Sequence, residues 1–118
     1  MELQEALKPI SSLISKSEKA QQKLEPETWQ YKMLRDNLKA LRYAAALITG
    51  DTQNKNEFTQ GELHEALHAD SSMISKVEKT QTKLLQGTSH HTLQQNRLNA
   101  LRIMQSLIKK EMHLRYSS

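Results

Sequence analysis

The stretch TQGELHEALHADSSMISKVEK, residues 59–79, decides which helical fold this chain can adopt. Its first residues have the spacing of a capping box, in which the Thr59 hydroxyl and the Glu62 carboxylate each accept a backbone N–H of the other residue. Such a box satisfies donors that have no partner inside a helix. The sequence therefore predicts that a helix begins at Gln60.

The same pattern occurs earlier in the chain, because residues 2–48 align without a gap to residues 62–108. The two segments are identical at 22 of 47 positions, which indicates an internal duplication with a shift of 60. Residues 50–57 contain no large apolar side chain and are predicted to form an exposed linker. The chain is therefore predicted to consist of a first helical repeat at 1–49, this linker, and a second helical repeat at 58–118.

The second half of each repeat carries apolar residues at three- and four-residue steps. This periodicity is typical of a long amphipathic helix. The helices are predicted at residues 28–49 and 89–114, with Thr28 and Thr88 as their N-caps. The predicted fold class is all-α.

The first half of each repeat allows two interpretations. Its heptad spacing predicts one unbroken helix that folds back on the next helix as a hairpin. An interior proline at Pro9 would cost ~3 kcal/mol, and Asp70, which aligns with Ile10, would place a carboxylate in an apolar seam. A break at 8–10 and 68–70 would remove both objections.

With that break, the opening stretch becomes a short helix, a turn capped by Asp70 and a second helix. Thr-Gln-x-Glu-Leu at the start, Leu67 at the end of the first helix and Ile-Ser-Lys-Val-Glu in the second resemble the helix-turn-helix of Cro and lambda-repressor-like (XRE) regulators. The first repeat carries a similar arrangement. The resemblance implies two tandem helix-turn-helix-like units, each followed by a long amphipathic helix, in a small DNA-binding transcriptional regulator.

In that family, residues early in the second helix face base edges in the major groove of double-stranded DNA. The resemblance assigns base or phosphate contacts to polar residues of both repeats: Ser11, Ser12, Ser15, Lys16, Lys19, Gln60, Ser71, Ser72, Ser75, Lys76 and Lys79. Independently of any family, Ser12, Lys16, Lys19 and Lys23 form one helical stripe, which the second repeat duplicates. Two explanations account for that stripe. It contacts DNA, or it is a solvated face that has not diverged since a recent duplication.

The amino-acid composition limits the classes of function that this protein can have. The chain has 17 Lys and Arg against 13 Asp and Glu, and this net charge of +4 permits a nucleic-acid partner without requiring one. The absence of cysteine excludes thiolate chemistry and fits a cytoplasmic location. No apolar run is long enough for a signal peptide or a membrane span, so no membrane association is expected. Self-association would help the thin core, which leaves a homodimer open.

One pattern points to an enzyme, since His64-Glu65-Ala66-Leu67-His68 fits the H-E-x-x-H motif of zinc peptidases. The equivalent segment of the first repeat, residues 4–8, has neither histidine, and no third ligand follows at a family spacing. We therefore expect no catalytic residues, no metal site, no cofactor and no enzymatic activity.

The alternative to the DNA-binding regulator is a duplicated helical-hairpin bundle that acts as a protein-interaction or assembly module. A continuous helix through residues 60–84 would favour this alternative, because it would remove the turn that the DNA-reading geometry needs.

Overall fold

The computed structural model describes residues 1–51 and 58–116, and all regular structure in these ranges is helical. In chain order the elements are a 3-10 turn (Gln4–Ala6) and four helices, α1 (Leu7–Gln21), α2 (Trp29–Thr49), α3 (Gln60–Gln81) and α4 (Ser89–Tyr116). The all-α class and the long helix in the second half of each repeat are confirmed.

Helices α2, α3 and α4 begin at the predicted caps. Thr59 accepts a hydrogen bond from the Glu62 N–H at 3.2 Å, and the Glu62 carboxylate accepts one from the Thr59 N–H at 3.2 Å. The hydroxyls of Thr28 and Thr88 accept the N–H three residues further on, at 3.3 and 3.2 Å. Gly50 ends α2 in the left-handed conformation with φ 78°, which costs glycine little. Most of the predicted linker, residues 52–57, lies outside the described residues.

The predicted break at 8–10 and 68–70 is absent, because α1 and α3 each run continuously through these positions. Pro9 is the third residue of α1, where a backbone N–H has no acceptor within the helix. The 3-10 turn before it closes when the Leu7 N–H donates to the Gln4 carbonyl. The proline therefore interrupts no hydrogen bond, and the helix-turn-helix turn is not formed.

The second objection to an unbroken helix was the cost of burying the charge of Asp70. In the folded protein this carboxyl group is held in its protonated form. The side chain is fully buried on α3, and neither oxygen has a hydrogen-bond partner within the described residues. Burial raises the pKa of Asp70 to about 8, although the charge of Lys109 opposes the shift. At neutral pH the carboxyl group is therefore mostly uncharged, in a place equivalent to that of the fully buried Ile10.

The four helices form two hairpins, α1 with α2 and α3 with α4, that share one core. α2 packs along α3, and α1 packs against α4. Fully buried side chains come from every helix, among them Ile10, Leu41, Leu63 and Leu101. Because Leu41 and Leu101 occupy equivalent places in the two repeats, the centre of the core is built from both hairpins.

The hairpins match each other in local detail at a shift of 60. An exposed ion pair crosses each one, Arg42–Glu18 at 3.1 Å and Arg102–Glu78 at 3.5 Å. In both connecting loops the capping threonine hydroxyl also donates to the backbone carbonyl three residues earlier, at 2.8 Å. The same interactions therefore close both hairpins.

We predict that Asp70→Asn removes a pH dependence of stability. Between pH 4 and 8 the unfolded wild-type chain ionises Asp70 while the folded chain keeps it protonated, so the free energy of unfolding falls as the pH rises. The difference spans on the order of 5 kcal/mol if the folded pKa is about 8. Urea unfolding at intervals from pH 4 to 8 measures it. Parallel curves for the wild type and Asp70→Asn would contradict this prediction.

Candidate functional site

The side chains predicted to contact DNA lie along two uninterrupted helices rather than on recognition helices that follow a turn. Those of the first repeat are on α1, and those of the second are on α3, where Gln60 is the first residue. The structure brings Lys16 of one helix near Lys76 of the other. Ser72 lines a different groove, which lies between α2 and α3. Gln60 lies at the first residue of α3, at the opposite end of this helix from the loop that follows it.

Lys16 and Lys76 meet at a cleft between the two hairpins, which we call the central cleft. Its volume is about 170 Å³. Twelve of its thirteen lining residues form six pairs that are 60 positions apart: Leu13 and Met73, Lys16 and Lys76, Ser17 and Val77, Ala20 and Thr80, Leu34 and Gln94, and Asn37 and Arg97, with Leu101 as the thirteenth. The two hairpins therefore contribute equivalent surfaces to this cleft.

The central cleft is basic. Among the residues that the structure describes, Lys16, Lys76 and Arg97 line it, and no carboxylate does. Burial, followed by the charges of Arg97 and Lys76, lowers the pKa of Lys16, and burial lowers the pKa of Arg97. Arg97 is only 8% exposed, and its side chain donates a long hydrogen bond of 3.4 Å to the Ser12 hydroxyl. Three positive charges thus converge, and none of the described residues that line the cleft carries a negative charge.

A second concave surface lies between α2 and α3, and we call it the Trp29 groove. Its volume is about 530 Å³, and most of its surface is apolar. Its lining comes from the first half of α2 and the first half of α3: Trp29, Lys32, Met33, Asp36, Asn37, His64, Glu65, His68, Ala69 and Ser72. Trp29 is 67% exposed, although it is the largest apolar side chain in the protein.

The charged groups of the Trp29 groove are unevenly distributed. Lys39 of α2 forms an ion pair with Glu62 of α3 just beyond one end, and it also lies 5.4 Å from the centre of the Phe58 ring. Asp36 and Glu65 lie between that pair and the rest of the groove. Within the described ranges, no cation lies within ion-pair distance of Glu65, so this end of the groove is acidic.

The H-E-x-x-H residues are also in this groove. His64 and His68 are exposed on α3, one helical turn apart. Zinc sites need at least three protein ligands, and residues 1–51 and 58–116 hold no group of three His, Asp or Glu side chains arranged to bind a metal ion. The geometry gives a zinc ion two imidazoles only.

Neither Arg97 nor Trp29 is among the residues that the sequence singles out as candidate functional residues. Arg97 falls in the segment where the two repeats share no identity, opposite Asn37. The sequence feature that could have pointed to it is the alignment of a charged residue, Arg97, with an uncharged amide, Asn37. Its convergence with two lysines depends on how the hairpins pack, which the spacing along one helix does not specify.

Comparisons of the chain with protein-family models, with curated proteins and with solved structures found no match. In the described part of the chain, no helix combines the length and apolar character that a bilayer crossing requires. Function therefore has to be inferred from the surfaces of the protein itself.

We predict that the protein retains no stoichiometric zinc, because His64 and His68 lack a third ligand. Atomic emission analysis after dialysis against a weak chelator measures the metal content of the wild type and of His64→Ala. Both should fall to the background of the buffer. One zinc ion per wild-type chain, lost in His64→Ala, would refute the prediction.

Proposed function

We propose that this protein is a non-enzymatic interaction module that binds a short amphipathic helix of a partner protein in the Trp29 groove. The observation that carries the proposal is Trp29, which remains two-thirds exposed at the edge of an apolar groove. Tryptophan is strongly enriched among the residues that dominate binding energy at protein interfaces. Burial of its ring by a partner would remove a large apolar area from water.

The dimensions of the groove fit a helix of about two turns. On α2 its lining runs from Trp29 to Asn37, and on α3 it runs from His64 to Ser72. Each segment covers nine residues and is about 12 Å long at 1.5 Å per residue. Two apolar side chains of a partner, one helical turn apart, would rest on Met33 and Ala69 in the manner of other helices that bind in grooves.

The charges select the orientation and composition of the partner helix. Asp36 and Glu65 make one end acidic, and Arg35 approaches Asp36 at 3.5 Å from the exposed side. Glu65 is the more available carboxylate. A Lys or Arg that follows the apolar pair of the partner would reach Glu65, which would fix the register of binding more than it would raise affinity.

The proposal is tested by selecting helical peptides from a displayed library against the wild type, with depletion on Trp29→Ser. We expect enriched peptides to carry two apolar residues one turn apart and a neighbouring basic residue. Because the chain has one tryptophan, its fluorescence should shift to shorter wavelength as these peptides bind. Trp29→Ser should weaken binding at least about 30-fold, the loss expected for an interface residue worth 2 kcal/mol.

Leu85→Ser provides a matched control, since Leu85 is 79% exposed in a loop outside the groove. Its peptide affinity should equal that of the wild type. Glu65→Lys should reduce affinity for basic peptides and favour acidic ones. Peptides that bind Trp29→Ser equally well would overturn the proposal. So would a dimer in sedimentation experiments that dissociates in Trp29→Ser, because the groove would then hold a second copy of this chain.

A second candidate function, double-stranded DNA binding, is favoured by the placement of the duplicated lysines. Lys16 and Lys76 flank the central cleft, and the exposed Lys19 and Lys79 lie about one helical turn further along α1 and α3. If each neutralises a phosphate, the logarithm of the binding constant should fall against the logarithm of salt concentration with a slope of roughly -3 to -4. Gel shifts of mixed duplex fragments measure it, and no shift at low salt would exclude this function.

A further inference from the structure

We propose that the central cleft binds a phosphate monoester whose organic part is a small apolar group, with the phosphate held by Lys16, Lys76 and Arg97. This site is separate from the Trp29 groove, and it does not depend on the partner helix proposed above. The two surfaces share only Asn37 in their linings.

Arg97 has hydrogen-bonding capacity that no described residue uses. The residue is more than nine-tenths buried, and its Nε has no hydrogen-bond partner within the described residues. Buried polar groups without partners are rare in folded proteins because each one costs free energy. An anion in the cleft would accept this N–H, and a phosphate or carboxylate suits the planar guanidinium best.

The charge of the cleft also favours an anion. Within residues 1–51 and 58–116 its lining contains three cations and no acid, and none of the three cations forms an ion pair there. Partial burial, followed by the charges of Arg97 and Lys76, lowers the pKa of Lys16, and a bound anion would offset the repulsion among the three cations. A phosphate monoester has close to two negative charges near neutral pH, and it balances three cations better than a carboxylate does.

The apolar wall and the volume of the cleft favour a ligand with a small apolar group. Leu13, Met73 and Leu101 line the cleft beside the cations. A buried cavity of about 150 Å³ is sufficient for a benzene molecule, and the central cleft has a volume of about 170 Å³. The volume of the cleft is therefore close to that of a ring-sized group, which would lie against the apolar wall with its phosphate directed to the three cations.

Isothermal titration with phenyl phosphate at pH 7.5 tests the site, with inorganic phosphate and benzoate as comparison ligands. We expect one saturable site per chain, tighter for phenyl phosphate than for either comparison ligand. Binding should also shift the methyl resonance of Met73, since that side chain forms part of the wall.

The variants separate this site from general attraction of anions by a basic protein. Arg97→Asn, which makes the position equal to Asn37, should weaken phenyl phosphate binding about 10-fold or more. Lys16→Gln and Lys76→Gln, at exposed positions, should each weaken it about two- to fivefold. Lys79→Gln removes the same charge one turn away, outside the cleft, and should leave the dissociation constant unchanged. The lysine variants keep the test decisive if Arg97→Asn fails to fold.

Each contrary result has a distinct meaning. No saturable binding, or equal losses in Lys79→Gln and Lys76→Gln, would overturn the site. Equal affinity for benzoate would overturn the assignment to phosphate, and equal affinity for inorganic phosphate would overturn the role of the apolar wall. Displacement of phenyl phosphate by duplex DNA would show that the same cations serve the nucleic-acid function instead. None of these results bears on peptide binding in the Trp29 groove.

Discussion

Neither hairpin of this protein can cover its own apolar face, and the rest of the structure follows from that constraint. A hairpin of two helices is small and buries too little of its surface to enclose its own apolar side chains, so each hairpin alone would leave much of them in water. Contact of α2 with α3 and of α1 with α4 places Leu41 and Leu101 in one centre. The same contact creates both concave surfaces, because each lies where helices of different hairpins meet.

The features that depend on short sequence separations could be predicted well. Thr28, Thr59 and Thr88 cap their helices as expected, because a cap involves atoms only three residues apart. At the shift of 60, equivalent residues also form equivalent ion pairs and loop hydrogen bonds, which the sequence comparison had not predicted. The predicted interruption of α1 and α3 was wrong for two reasons. Pro9 was given the free-energy cost of a proline in a helix interior, and Asp70 was given the cost of burying a charged carboxylate. Pro9 lies instead in a first turn, and Asp70 is buried in its neutral form.

The candidate sites were only partly accessible to sequence reasoning. The duplicated lysine stripe places Lys16 and Lys76 at equivalent positions of the two repeats, since helical spacing puts the residues of each stripe on one face. Nothing in that spacing indicates that the two faces meet, or that Arg97 completes them from α4. The Trp29 groove was missed as a site because its walls come from two repeats, and its shape depends on small residues such as Ala69. Long-range packing determines both properties.

Folding of this protein is coupled to the uptake of a proton at Asp70. Near neutral pH an unfolded aspartate is ionised, whereas the buried carboxyl group in the folded chain retains its proton. Folding therefore takes up close to one proton from the buffer at this residue, and unfolding returns it. The heat measured for unfolding accordingly includes the ionisation enthalpy of whichever buffer accepts that proton, so calorimetry in phosphate and in Tris would give two different enthalpies for the same conformational change.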